Sequence, residues 1–396
     1  MILIKDEKFK DSLESLVPNG PYDQSEFYFR KYYNSANGDT YYPIFLRYPI
    51  VDRTFLKAIE EKYLEQLKNK KIKPLIIMIT ESWNLFGFYP HYRSKKNKKL
   101  YLDTPYFKFI NFFKELKIEE QDLTWIVNNI HINSQVQELI ECDVPIKSNF
   151  FHFNFFLQQQ SQLVRGINFN KPKSFSYHYI SMAAGEPRHH RYGMTYKLKE
   201  SNLLTYGKNS CAEFKNFKYD YSQCSHSDNN IDTENYLKKL ETDDDKIKSF
   251  IKCLPLNIDK KAEPNNNLNE EHSLYENVFL DLVNETHQPD NQLFVTEKTF
   301  RPIAHLRPFI INGDRWTLRY LKDHGFKTFD RWWDESYDDK QDDWKRIESL
   351  TKIIKRLCSM PLESLLVLYK EMLPILEHNQ QILRDADEYK NLKEIL

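Results

Sequence analysis

Glycine is scarce in this chain, at 9 residues in 396, and neither GxGxxG nor GxxxxGK[ST] occurs. Phosphate binding through a glycine-rich loop is therefore excluded. Cysteine is sparse as well. Cys142, Cys211, Cys224, Cys253 and Cys358 lie far apart, no CxxC is present, and an odd count forbids a complete disulfide framework. Free thiols in a reducing compartment are expected, and with them a cytoplasmic protein. An excess of one charge is also missing, because 57 basic residues balance 57 acidic ones. A global electrostatic grip on nucleic acid is thus not indicated, although local patches remain open. No run of 18 apolar residues exists, so no membrane span is expected, and Met1 to Lys10 lacks the apolar centre of a signal peptide.

Aromatic residues, by contrast, are dense, with 27 Phe and 25 Tyr. A chain of 396 residues is long enough for two domains at the usual size of roughly 100–200 residues each. The stretch from Leu293 to Asp339 organises the rest. Leu293-Phe294-Val295 is a short apolar run that stops at Thr296, a helix N-cap residue type, followed by Glu297-Lys298-Thr299. Phe309-Ile310-Ile311 reads as a second strand closed by Asn312-Gly313, and Phe326 to Phe329 as a third. Strands alternating with helices spell a parallel sheet with right-handed crossovers. In such sheets ligands sit beyond the carboxyl ends of strands, where helix amino ends favour anions. Glu297 and Lys298 fall there: a carboxylate suited to sugar or ribose hydroxyls beside an ammonium suited to phosphate.

Earlier in the chain, Pro74 to Thr80 is apolar almost throughout and reads as a central parallel strand. Glu81 follows it, the candidate general base, with His91 in reserve. Ser94 to Leu100 is a basic run. Asp52 to Leu67, Pro105 to Leu116 and Ser134 to Ile140 read as helices, and Leu123 to Ile132 as a strand. Residues 166–174 break the apolar pattern and mark the domain boundary. Phe175 to Met182 is the next strand. It leads into a loop holding Arg188, His189, His190 and Arg191, an anion-binding composition. No third ligand accompanies the histidines at helical spacing, so no metal is assigned to them. Tyr192 to Glu200 and Asn235 to Cys253 read as helices, as do Trp344 to Cys358, Leu362 to Leu373 and a last one ending at Leu396. Asp243-Asp244-Asp245 is a solvated turn, and Asp334-Glu335 a helix entry.

The segment Asp281-Leu282-Val283-Asn284-Glu285-Thr286, a spacer, and Phe294-Val295-Thr296-Glu297-Lys298 resembles the donor-site signature of the α1,3-fucosyltransferases. The longer run, TEKTFxPIA…PFIIxG…GFxTF…DESYD, resembles glycosyltransferase-like proteins of phages and bacteria, over roughly residues 174–350. In that second family an N-R-x-P-R-x-H-R segment precedes. This chain keeps Pro187, Arg188, His190 and Arg191 but has Ala184 and Gly185 where the asparagine and first arginine would stand. Asn284-Glu285-Thr286 likewise replaces the fucosyltransferases' E-N-S, so only Glu297 and Lys298 carry over cleanly.

The resemblance implies an α/β protein of GT-B type with two Rossmann-like domains. Residues 1–170 form the acceptor domain, 171–350 the nucleotide-sugar-binding domain, and 351–396 add C-terminal helices. The expected reaction is metal-independent transfer of a sugar from a nucleotide-sugar donor to a glycan, a protein or modified DNA, with no further cofactor. Donor-binding candidates are Arg188, His190, Arg191, Glu285, Thr296, Glu297, Lys298 and Thr299. A catalytically silent nucleotide-sugar-binding protein is the first alternative, and a transferase acting on modified bases in DNA the second.

Overall fold

The structure is a computed structural model that describes residues 2–3, 40–46, 59–78, 85–86, 104–141, 143–167, 171–184, 188–215, 232–256, 273–286 and 293–395. Glu81, His91, the basic run 94–100 and Gly185 to Pro187 lie outside the described residues.

Among the described residues nine strands form two sheets, every strand pairing parallel. β1 (Ile2–Leu3), β2 (Thr40–Phe45), β3 (Lys73–Met78), β4 (Thr124–Val127) and β5 (Asn149–His152) pair in chain order. The second sheet contains β6 (Tyr177–Ser181), β7 (Gly207–Asn209), β8 (Val278–Asn284) and β9 (Phe309–Asn312), in the order β7-β6-β8-β9. Parallel strands covered on both faces are apolar without alternation. Accordingly, β3 is buried from Pro74 onward, and β8 and β9 are buried throughout. Helices α1 (Glu61–Lys68), α2 (Pro105–Glu115), α3 (Ile132–Glu141), α4 (Phe155–Val164), α5 (His189–Glu200), α6 (Thr233–Leu240) and α7 (Asp244–Ile251) are set between the strands or follow them. The rest are α8 (Glu297–Ala304), α9 (Thr317–Asp323), α10 (Asp343–Cys358), α11 (Leu362–Asp385) and α12 (Glu388–Ile395). This is the α/β class expected, with two parallel sheets and a helical C-terminal segment. No described helix is long and apolar enough to cross a membrane.

The described residues of Met1–Phe155 and Asp387–Leu396 form one compact unit, and those of Phe156–Ser222 and His226–Ala386 the other. Aromatic packing fills the first. Trp125 and Phe150 are register partners on β4 and β5, and their rings stack at 5.9 Å and 17°. Beside them the Tyr106 hydroxyl lies 2.8 Å from both Glu120 Oε1 and Ser148 Oγ. The Lys147 N–H also donates to Glu120 Oε1, so this buried acid is satisfied. In the second unit α5 is buried from His189 to Tyr196 on all sides. Gly193 permits that, because a Cβ there would stand 3.0 Å from Ile347, Leu240 and Tyr236 side chains.

Several expected elements come out differently. The strand placed at 293–295 is buried but unpaired in any sheet: its Phe294 N–H donates to Asp314 Oδ2 at 2.8 Å, so a side chain takes the ladder's place. The third strand at 326–329 is likewise absent. The backbone of Lys327 is clamped by Asn379 of α11, whose Oδ1 accepts from the N–H at 2.7 Å and whose Nδ2 donates to the carbonyl at 2.8 Å. Leu123 to Ile132 splits into β4 and the start of α3, and Asn235 to Cys253 into α6 and α7. α11 runs on to Asp385 through Pro374, well past Leu373.

The Asn379 clamp is testable. Asn379 is 1% exposed, and its replacement by Ala removes both partners of the Lys327 peptide groups. Urea unfolding of Asn379→Ala is expected to show a loss of about 1–3 kcal/mol. Unchanged stability would mean that water replaces the clamp without penalty.

Candidate functional site

The strand order of the second sheet reverses at β6, with β7 on one side and β8 on the other. Connections leave such a strand pair toward opposite faces, which opens a crevice beyond their carboxyl ends. The strands end there on polar side chains: Ser181 on β6, Asn284 on β8 and Asn312 on β9, all buried. Asn284 Nδ2 donates to Ser181 Oγ at 3.0 Å, and Asn312 Nδ2 donates to Asn284 Oδ1 at 2.9 Å. A row of hydrogen bonds thus fixes three strand ends relative to one another.

Glu285 follows β8 and is fully buried. Its Oε1 accepts from the Thr296 N–H at 3.1 Å and the Thr299 hydroxyl at 2.6 Å. Its Oε2 accepts from the Thr286 N–H at 3.1 Å and the Thr296 hydroxyl at 2.6 Å. The main-chain carbonyl of the same residue accepts from His190 Nε2 at 3.0 Å and from Arg191 Nε and Nη2 at 3.2 and 2.9 Å. Its side chain therefore holds the amino end of α8, and its carbonyl holds the first turn of α5. Gly313 leaves the room for this, since a Cβ there would sit 3.0 Å from Glu285 Cβ.

Thr296 caps α8 as expected, accepting from the Lys298 N–H at 3.4 Å. On that first turn Lys298 Nζ donates to Glu297 Oε1 at 2.6 Å and to Thr286 Oγ1 at 2.9 Å. Arg301, one turn on, approaches Glu297 Oε1 at 3.8 Å. Burial pushes the Glu297 carboxyl up, but Lys298 and Arg301 outweigh it and hold the group down at about 2. The side chains of Glu297, Lys298 and Arg301 keep 16%, 25% and 17% of their exposure, so all three are still reachable by a ligand. Pro302 lies inside the helix and removes one N–H, leaving the Lys298 carbonyl without its intrahelical donor.

The sequence candidates thus divide. Glu297 and Lys298 stand together at the site, and Arg188 is the half-buried N-cap of α5. Arg191 is 4% exposed and braces the Glu285 carbonyl, and His190, 3% exposed, does the same. Burial, then the Arg191 charge, push the His190 imidazole well below its usual value. A neutral ring facing a carbonyl must carry its proton on Nε2. Glu285, Thr296 and Thr299 bind one another, so their visible task is to hold the helix end. Sequence reading missed Arg301, although the i,i+4 spacing from Glu297 marks it. Asp314 was missed too, because its partner Phe294 is 20 residues away.

Among the described residues no group of three His, Cys, Asp or Glu side chains is placed to hold a metal. The DESYDD acids have other employment. Asp338 accepts from the Leu318 and Arg319 N–H groups at the amino end of α9. Glu335 accepts from the Phe329 N–H and the Thr328 hydroxyl, and Asp334 from Ser336. Asp334 and Glu335 do not supply the helix entry expected of them: Asp338 of the same segment holds the amino end of α9, which precedes it, and Asp342 caps α10.

Fold and site together define a two-unit α/β protein with an anion-suited helix end at a sheet's switch point. No family model matches the chain, and no curated protein matches its sequence. Among solved structures it is similar to a DNA-modifying β-glucosyltransferase determined in the presence and absence of uridine diphosphoglucose. The two share 12% identity over 83% of each chain, with a TM-score of 0.34. A likeness at that level carries no weight for site or reaction.

Asp314 supplies a pH test of this region. Burial raises its carboxyl to about 7, against an ordinary 3.8. A raised acid stabilises the fold fully below its unfolded value, and the contribution is lost as pH climbs to the folded one. Asp314→Asn keeps an acceptor for Phe294 and does not titrate. Its thermal midpoint is expected to match the parent near pH 4 and to exceed it at pH 8. A constant offset between the two proteins across that range would show that Asp314 is not buried as a proton carrier.

Proposed function

We propose that this protein is a glycosyltransferase whose nucleotide-sugar donor binds at the carboxyl edge of the second sheet. The observation that carries the reading is the charged trio Glu297, Lys298 and Arg301 on a helix amino end, fixed by Glu285 at the β6/β8 switch point. The likeness of the TEK segment to fucosyltransferase donor sites supports it, as does the presence of two parallel α/β units, the composition of GT-B enzymes.

In the reaction proposed, an acceptor hydroxyl oxygen forms a bond to the anomeric carbon while the bond from that carbon to the diphosphate oxygen breaks. Negative charge then accumulates on the departing diphosphate. Lys298, Arg301 and Arg188 are fixed donors for it beside the positive end of α8, which is electrostatic preorganisation without a metal ion. Glu297, held ionised by its two cationic neighbours, accepts hydrogen bonds from sugar or ribose hydroxyls. The acceptor proton goes to Glu81, three residues beyond β3 in sequence. The acceptor is a glycan, a protein or a base hydroxyl of modified DNA.

Calorimetric titration with UDP and GDP sugars, with and without EDTA, tests the donor half. Glu297→Gln and Lys298→Ala are each expected to weaken binding about ten-fold, a charge-assisted bond being worth about 1.5–3 kcal/mol. Glu81→Gln is expected to keep that affinity and lose transfer across a panel of the three acceptor types. Parent affinity in both α8 variants would remove the donor from this site, and a strict need for Mg²⁺ or Mn²⁺ would remove the metal-free reading. Tight binding without turnover on any acceptor would identify the silent binding protein instead.

A further inference from the structure

Away from the strand ends, a cleft of about 270 Å³ opens between α10 and the segment that precedes it. Trp333, Ile353 and Leu357 give it an apolar floor, all three buried. Trp332, half-buried, forms one wall, and the Arg331 guanidinium lies 5.6 Å from its ring centroid. Lys352 and Arg356, one helical turn apart on α10, form the opposite rim and are exposed. Lys340 closes the end and donates to Ser349 Oγ. Asp334, the one acid lining the cleft among the described residues, is occupied by Ser336, whose N–H and hydroxyl hold its carboxyl below the usual range.

One feature marks this cleft as a binding site beyond its shape. Lys340, Lys352 and Arg356 outnumber the two acids nearby, Asp334 and the Glu371 carboxylate that accepts from the Trp332 indole at 3.5 Å, so the occupant carries negative charge. An indole wall with cations around it is the chemistry that stacks a planar base and holds its phosphate.

We propose that this cleft binds one nucleotide unit, its base against Trp332 and its phosphate on Lys352 and Arg356. The same chemistry is offered by a free mononucleotide and by a residue of a single strand. The site shares no residue with the α8 amino end, so it stands or falls independently of the donor-site reading.

The test titrates UMP, inorganic phosphate and an oligothymidylate into ¹⁵N-tryptophan-labelled protein, following the indole resonances. Binding is expected to shift the Trp332 and Trp333 signals and to persist in Lys298→Ala. It is expected to weaken about ten-fold or more in the double variant Lys352→Ala/Arg356→Ala, whose exposed side chains are not needed for folding. A tighter, salt-sensitive response to the oligonucleotide would identify the strand as the source, and equal responses the free nucleotide. Trp332→Ala must weaken UMP more than phosphate. Equal affinity of the parent and double variant, absence of indole shifts, or phosphate binding as well as UMP would each overturn the proposal.

Discussion

Four hydrogen bonds to one buried carboxyl hold the second unit's site together. Glu285 has no exposed surface, and every one of those donors comes from the two segments that leave β8 and enter α8. A buried acid lacking such donors would cost several kcal/mol, of order 1–3 for each unmet group. Met in full, it becomes a rigid joint. Its carbonyl extends the joint to α5 through His190 and Arg191. Two helix amino ends are thereby fixed against the end of one strand, and the gap left by Gly313 is what lets the carboxyl lie there.

That joint explains the electrostatics above it. Lys298 and Arg301 crowd Glu297 because the first turn of α8 cannot rotate away, so the acid stays ionised despite its burial. A second set of buried acids lies below. Asp338 and Asp343 are both raised to about 6 by burial, and Arg346 lies among them. Its guanidinium donates to the carbonyls of Gly313, Tyr337 and Lys340, tying β9's exit to the entry of α10. The charged groups left accessible at the α8 amino end are few, and those that hold the frame are many.

Much of this was legible in the sequence, and for physical reasons. Pro74 to Thr80 reads as a central strand because a strand covered on both faces loses its alternation, and β3 is indeed the middle of its sheet. Thr296 announces α8 because hydroxyl caps are local. The failures are non-local. Val278 to Asn284, the strand on which the site rests, carries Asp281 in an apolar run. The structure satisfies that acid with the Tyr275 hydroxyl, a pairing that no periodicity shows. The segments 293–295 and 326–329 have strand-like composition, but Asp314 and Asn379 take their backbone groups. Arg191 was read as an anion ligand from the loop's composition and the motif it shares, and its burial against a carbonyl only the fold reveals.

The central claim is that the Glu285 carboxyl sets the position of α8 and thereby the donor site. Glu285→Gln keeps the size and turns one acceptor into a donor facing N–H and hydroxyl groups already aimed at it. Hydrogen exchange measured together with donor-sugar binding tests the claim most directly. The account predicts that amides at Thr286 and Thr296 to Thr299 lose protection and that donor affinity falls, while amides of β6, β8 and β9 stay protected. Retained protection across the start of α8 with parent donor affinity would contradict it.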